Sequence, residues 1–134
     1  MALKTSIKQM VEEAESSIKT IPVAEAISLL DSDDHVFVDL RDVRELDHEG
    51  MVPDAFHAPR GMIEFWVDPE SPYHKDIFAS GKTFVFYCRS GWRSALATKT
   101  VQDMGLENVS HISDGFGGWK KAGGPVAEKP ARKE

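Results

Sequence analysis

The only cysteine of the chain, Cys88, lies in the stretch YCRSGWRS. Arg89 follows it directly and Arg93 comes soon after, with Ser90 and Gly91 between the two arginines. Small residues of this kind allow the backbone to turn tightly. A cysteine is a good nucleophile when it is held as a thiolate, and nearby positive charge favours that form. The residue types and their spacing therefore indicate nucleophilic chemistry on the sulfur of Cys88.

The segments on either side place this stretch between a strand and a helix. TFVFY, residues 83–87, is the strongest strand pattern in the chain, and SALATKTVQDMG, residues 94–105, is typical of a helix with one apolar face. Gly105 is suited to end that helix. Cys88 would then lie at a helix N-terminus, where unpaired N–H groups, the helix dipole and a nest of loop amides all favour the thiolate.

A second interpretation of Cys88 is purely structural. A free cysteine often packs as a small apolar side chain, and the apolar strand before it could continue into such a position. This alternative does not explain why two arginines, two serines and a glycine follow at once. We therefore favour a reactive cysteine that a substrate can reach, and a cysteine sealed in the interior would overturn this interpretation.

The order of the elements predicts an α/β fold. VFVDL, residues 36–40, and VSHI, residues 109–112, are further strand patterns. Strand, loop, helix and strand in succession form a βαβ unit, which implies a central parallel sheet with helices on both faces. Such sheets bind ligands beyond the carboxyl ends of their strands, where Cys88 is expected.

The chain is predicted to divide into three parts. Residues 1–19 are expected to form a helical extension that packs onto the domain or against a second copy, as a homodimer. Residues 20–126 form the domain, with a long irregular segment at 61–80 and a flexible, aromatic-anchored turn in DGFGGWKKAGG. Residues 127–134 are expected to be a polar, frayed tail.

Composition excludes several classes of partner. The formal net charge is -6, which argues against nucleic acid and anionic membranes. A single cysteine cannot form an internal disulfide, and the N-terminal residues lack the apolar stretch of a signal peptide, so we expect a cytoplasmic protein. The five histidines are scattered, no zinc-site spacing occurs, and we expect no metal or organic cofactor.

Four segments together resemble the rhodanese family of sulfurtransferases in its small single-domain form. They are CRSGWRS at the cysteine loop, VFVDLRDVRE after an early strand, EGMVPDA in a turn, and DGFGGWKKAGGPV near the end. Their order and spacing span about residues 20–126. The sequence departs from the family turn motif at Met51, where the family has histidine, and at Asp54, where it has glycine.

The resemblance implies a role for each residue of the loop. Cys88 would be the nucleophile that carries a sulfane sulfur from thiosulfate or a persulfide donor to cyanide, a thiol or a protein cysteine. The substrate-binding residues would be those that follow it, namely Arg89, Ser90, Gly91, Trp92, Arg93 and Ser94. Either arginine could instead pair with a carboxylate such as Asp39 or Asp42, Trp92 could be a packing residue, and Ser94 could cap the helix. Asp39, Arg41 and Arg44 are expected to brace the loop from behind.

Two rival functions remain open at this stage. The cell-cycle phosphatases that share the rhodanese fold, like arsenate reductases, use a cysteine loop, but the phosphatases place five residues between cysteine and arginine. Here four residues separate Cys88 from Arg93, which leaves less room for a tetrahedral phosphate. The second rival is a sulfur carrier or interaction module without turnover. The triplet GKT, residues 81–83, lacks the upstream glycine of a phosphate-binding loop and is interpreted as a turn.

Overall fold

A computed structural model of the protein describes residues 2–130. Its centre is a parallel sheet of five strands in the order β1-β5-β4-β2-β3. The strands are β1 (Lys19–Ile21), β2 (His35–Asp39), β3 (Phe56–His57), β4 (Thr83–Tyr87) and β5 (Val109–Ile112). The fold class predicted from the sequence, an α/β fold with a central parallel sheet, is thus confirmed.

Helices cover both faces of the sheet. They are α1 (Ile7–Ser17), α2 (Val23–Ser28), α3 (Val43–Glu49), α4 (Ile63–Val67), α5 (Trp92–Met104) and α6 (Gly115–Lys121). Alternate residues of β4 point to opposite faces: Phe84 and Phe86 pack with α4 and α5, and Val85 and Tyr87 pack with α2 and α6. Within the described residues, no helix is both long and apolar enough to cross a membrane.

The sequence predicted the two strands around the cysteine loop correctly. β4 and β5 have the predicted bounds, and α5 ends at Gly105, whose left-handed φ of 114° permits the expected cap. These elements were recognisable because β4 is buried on both faces and its residues are β-branched or aromatic.

Three short helices were not predicted. α3 lies in a charged stretch, and a capping box between Asp42 and Glu45 starts it. α4 lies in the segment that the sequence analysis described as irregular. The flexible turn predicted for DGFGGWKKAGG is wrong, since α6 buries Phe116 and Trp119 one turn apart on one face. Glycine-rich composition concealed this helix, because its stability comes from those two aromatic side chains.

The N-terminal segment packs onto its own domain. β1 pairs with β5 at the edge of the sheet, and Val11 and Ala14 of α1 pack against Ala95 of α5. The side-chain amide of Gln102 also donates to the carbonyl of Ser17 at 2.9 Å. Of the two predicted placements, the structure contains the first, and a homodimer through this helix stays a prediction.

The C-terminal segment is tied to the turn that departs from the family motif. Met51 and Ala127 exchange two backbone hydrogen bonds of 2.9 and 2.8 Å, and Lys129 lies 3.4 Å from a carboxylate oxygen of Asp47. The predicted fraying is therefore wrong for the start of the tail, and residues 131–134 lie outside the described residues. Asp54 has a φ of 61°, so it adopts the left-handed conformation in which glycine is common.

A buried ion pair joins the end of β2 to the helices above it. The Arg41 guanidinium donates to Asp39 at 2.7 Å, both side chains are fully buried, and the guanidinium also donates to the Gly50 carbonyl at 2.7 Å. It lies over the ring of Phe116, 4.3 Å from the centroid. The pair thus connects β2, the residue after α3, and α6.

Replacing Asp39 by alanine should destabilise the fold strongly, because it leaves the buried Arg41 charge without its one buried carboxylate partner. We expect a loss of about 3–5 kcal/mol in the free energy of unfolding, measured by urea denaturation. Asp103→Ala removes an exposed pair with Lys99 and is the matched control, with an expected loss below about 1 kcal/mol. Equal losses of unfolding free energy in the two variants would contradict a larger stabilisation by the buried pair.

Candidate active site

Cys88 lies between the end of β4 and the start of α5, in the position that the sequence predicted. Its sulfur accepts a hydrogen bond from the backbone N–H of Gly91, with an N to Sγ distance of 3.1 Å. The hydroxyl of Ser94, in the first turn of α5, lies 3.6 Å from the same sulfur. The free N–H groups of a first helical turn carry partial positive charge, so this environment suits a sulfur anion.

The tight turn of the loop depends on Gly91. Its φ of 103° is left-handed, and a Cβ atom there would lie 2.1 Å from the carbonyl oxygen of Ser113. Both the conformation and the space exclude a side chain. Gly91 thereby lets the chain reverse and point its own N–H at the sulfur.

The other side of the loop rests on the start of α6. The N–H groups of Phe116 and Gly117 donate to the carbonyls of Cys88 and Arg89, at 2.8 and 3.1 Å. A Cβ atom on Gly115 would lie 2.4 Å from the Arg89 carbonyl oxygen. Two helix N-termini therefore hold the loop, because α6 binds its carbonyls and Gly91, the N-cap of α5, points its N–H at the sulfur. The glycines of DGFGG are the sequence signal for this contact, which the sequence analysis missed.

Cys88 is buried, with 1% of its surface exposed, which differs from the accessible thiol that we expected. The cause is the direction of the side chain, which points into the loop toward Gly91 and Ser94. The neighbouring Arg89 and Ser90 are exposed and form the rim of the loop. Arg89 lines two surface depressions, one with Ser90 and Lys121 and the other with residues of α3.

Both loop arginines pair with glutamates of α3. Two nitrogens of Arg93 donate to the Glu45 carboxylate at 2.7 and 2.9 Å, and Arg89 pairs with Glu49. The bonds from Arg93 hold the pKa of Glu45 below its usual value. The sequence analysis expected ion pairs as an alternative role for these arginines, but it named Asp39 and Asp42 as partners. The glutamates lie one turn apart on α3, which the sequence analysis did not recognise as a helix.

The remaining predicted residues differ in their relation to the loop. Arg41 braces the loop indirectly, since Glu49 lies 3.6 Å from its guanidinium and also pairs with Arg89. Arg44 does not brace it, because its side chain is 80% exposed and pairs with Asp42. Trp92 is half-exposed on the first turn of α5.

Comparison with known proteins places the chain in a family. The sequence model of the rhodanese-like domain matches residues 22–122. A sulfurtransferase of Allochromatium vinosum is 33% identical over 98 residues, which cover 73% of this chain and 83% of that protein. The chain belongs to the rhodanese-like domain family, as the sequence motifs indicated.

Two of the solved structures that resemble the chain are informative. One, from Rhodopseudomonas palustris, is of a protein of unknown function described as a "possible tyrosine phosphatase"; it is 53% identical, covers 95% of this chain and 98% of its own, and has a TM-score of 0.92. The human single-domain sulfurtransferase has a TM-score of 0.64 and 23% identity, covering 78% of this chain and 97% of its own. The second likeness is one of fold alone.

Gly91→Ala should destabilise the loop beyond the cost of its backbone conformation. Gly105, at the other end of α5, is the matched control, since its φ is 114° and the space around it is open. Gly105→Ala should lose about 1–2 kcal/mol of unfolding free energy through left-handed strain alone. Gly91→Ala should lose more, because the added methyl group overlaps Ser113, and equal losses by urea denaturation would contradict this role.

Proposed function

We propose that the protein is a sulfurtransferase that carries a sulfane sulfur as a persulfide on Cys88. One observation supports this proposal most directly: the only sulfur nucleophile of the chain lies at a helix N-terminus and accepts the Gly91 N–H at 3.1 Å. A cysteine that served only as packing would need no N–H donor and no hydroxyl beside it. The sulfurtransferase of Allochromatium vinosum, a relative by sequence, supports the same class of reaction.

The first half of the proposed reaction forms the persulfide. The Cys88 thiolate attacks the outer sulfur of thiosulfate, a new S–S bond forms, the S–S bond of the donor breaks, and sulfite leaves with the electron pair. A persulfide donor would react in the same way and release its thiolate. The Gly91 N–H and the other amides of the first turn of α5 would then stabilise the anionic outer sulfur.

The second half returns the enzyme to its starting state. Cyanide in an assay, or a thiolate in the cell, attacks the outer sulfur of the persulfide, and the Cys88 thiolate leaves. Each half preserves the total charge, so the cycle needs no oxidant and no cofactor. The proposal therefore requires only that small molecules reach the sulfur.

Access is proposed to run past the exposed rim of the loop. Cys88 itself is buried, so Arg89 and Ser90 must move aside to admit a donor. Arg89 and Lys121 line the same depression and could attract an anionic donor to it. Glu45 and Glu49 oppose this attraction, because each neutralises one arginine of the loop.

The two rival functions become outcomes of the assays. The short loop, with four residues between Cys88 and Arg93, favours a sulfur atom over a phosphate group. Hydrolysis of an aryl phosphate that exceeds sulfur transfer would favour a phosphatase. A single stoichiometric transfer without turnover would favour a sulfur carrier.

The wild-type protein should transfer sulfur from thiosulfate to cyanide, and Cys88→Ser should have no activity above the uncatalysed rate. The serine hydroxyl is a weak nucleophile and cannot store a sulfane sulfur in an exchangeable S–S bond. Thiocyanate formation in steady state is the measurement. Full activity in Cys88→Ser would overturn the assignment of the nucleophile.

Glu45→Gln should raise kcat/KM for thiosulfate about two- to fivefold, because it releases the charge of Arg93 from a surface ion pair worth up to about 1 kcal/mol. Glutamine keeps an oxygen for the N–H of Asp42, which Glu45 caps at 2.9 Å. Glu64→Gln, which removes a remote pair with Arg60, is the control and should leave the rate unchanged. An unchanged or lower rate in Glu45→Gln would mean that Arg93 serves the structure and does not help to bind the donor.

A further inference from the structure

A buried histidine lies behind the cysteine loop. His111, on β5, has no exposed surface, and its Nδ1 lies 2.9 Å from the hydroxyl oxygen of Ser94. The same oxygen lies 3.6 Å from the Cys88 sulfur. Imidazole, hydroxyl and sulfur thus form a row that joins β5, α5 and the end of β4. The proposed function uses the sulfur and leaves the histidine unexplained.

His111 is neutral at physiological pH. Burial lowers its pKa to about 4. Its partners across the sheet are Thr20 on β1 and Phe86 on β4, and α5 contributes Ser94, so no charged side chain comes from these neighbours. A neutral imidazole has one N–H, which lies on either Nδ1 or Nε2.

The hydrogen bonds around Ser94 and the unpartnered Nε2 favour a proton on Nδ1. The Ser94 hydroxyl has one proton, and it donates to the Gly91 carbonyl at 3.3 Å. With the hydroxyl proton on the Gly91 carbonyl, Nδ1 is the donor to Ser94, since two acceptors would otherwise face each other at 2.9 Å. Nε2 has no partner among the described residues, and a proton there would be a buried donor without an acceptor.

We infer that His111 is a positioning residue for Cys88: its protonated Nδ1 donates to Ser94 and leaves the Ser94 proton free to turn toward the sulfur when the sulfur is anionic. In the thiol form, the S–H group and Nδ1 both donate to the Ser94 oxygen, and the hydroxyl donates to Gly91. When the thiol proton leaves to water, only the hydroxyl rotates, from the carbonyl to the thiolate. The thiolate then has two donors, Gly91 N–H and Ser94 O–H, and bonds to a charged acceptor are the stronger kind.

The titratable side chains near the sulfur, apart from His111, are those of Arg89, Arg93 and Tyr87. Arg93 on α5 and Arg89 in the rim are both paired with glutamates of α3, and burial raises the pKa of Tyr87 on β4. The hydrogen bond to Glu45 raises the pKa of Arg93, so Arg93 stays charged and Tyr87 stays neutral across the neutral range. A change in thiol ionisation on removing His111 would therefore come from the row itself. Only the catalytic use of this row of hydrogen bonds rests on the proposed function, because thiolate formation can be measured without sulfur transfer.

The first test needs no mutation. Nitrogen-15 NMR of the histidine rings distinguishes the two neutral tautomers, and we expect His111 to carry its proton on Nδ1. His111→Asn, which keeps a side-chain N–H near the position of Nδ1, assigns the signal by its loss. A proton on Nε2 of His111 would overturn the inference.

The second test follows the ultraviolet absorbance of the thiolate of Cys88 against pH. The midpoint should rise by about one pH unit in Ser94→Ala and in His111→Phe, because each removes or misdirects one hydrogen bond to a charged group. In His111→Asn, the midpoint should stay close to the wild-type value, because the asparagine N–H replaces that of Nδ1. Thr98→Val is the control, since Thr98 lies one turn from Ser94 on α5 and its buried hydroxyl has no partner among the described residues.

The outcomes separate this inference from the proposed function. An unchanged midpoint in His111→Phe, with the variant folded by circular dichroism, would overturn the positioning role. Shifted midpoints in a protein that never forms a persulfide would sustain the positioning role and defeat the sulfurtransferase. Equal midpoints in the wild type and His111→Phe, with a persulfide that forms equally well in both, would overturn the positioning role and support the sulfurtransferase.

Discussion

The architecture of the site depends on two helix N-termini that meet at one loop. α6 binds the carbonyls of Cys88 and Arg89, while the loop turns through Gly91 so that an N–H group faces the sulfur. Anchoring the carbonyls of Cys88 and Arg89 on α6 fixes the first two peptide groups of the loop, and the left-handed conformation of Gly91 then directs its N–H at the sulfur. The parallel sheet contributes by bringing the end of β4 and the end of β5 to one edge.

The charges around this loop are balanced. Each of three arginines pairs with a carboxylate: Arg41 with Asp39, Arg89 with Glu49 and Arg93 with Glu45. Of these pairs, only that of Arg41 with Asp39 is fully buried. The buried pair fixes the position of elements, whereas the outer pairs are exposed enough to exchange partners. In the proposed site, the stabilisation of a sulfur anion would therefore rest on oriented N–H and O–H groups more than on net positive charge. This arrangement suits a small sulfur nucleophile, whose single anionic atom needs few donors at short range.

The sequence predicted the parts of the site that lie in one continuous stretch. Cys88 at the end of a strong strand, Gly91 as the turn and a following helix were all readable, because local residue types determine them. It could not reveal Glu45 and Glu49 as partners, since α3 lies far from the loop in sequence and its helical pattern is masked by charge. The burial of Cys88 and the contact of His111 with Ser94 depend on the packing of β5 against α5, which no local pattern encodes. Gly115 was visible in the sequence, but the close approach that requires it appears only where α6 meets the loop.

The mass of the intact protein tests the central claim most directly. The protein is incubated with thiosulfate and, separately, with a small-molecule persulfide, and the wild type is compared with Cys88→Ser. The account predicts that the wild type gains the mass of one sulfur atom, that cyanide removes it, and that the variant gains nothing. No gain with either donor, or an equal gain in the variant, would contradict a persulfide on Cys88.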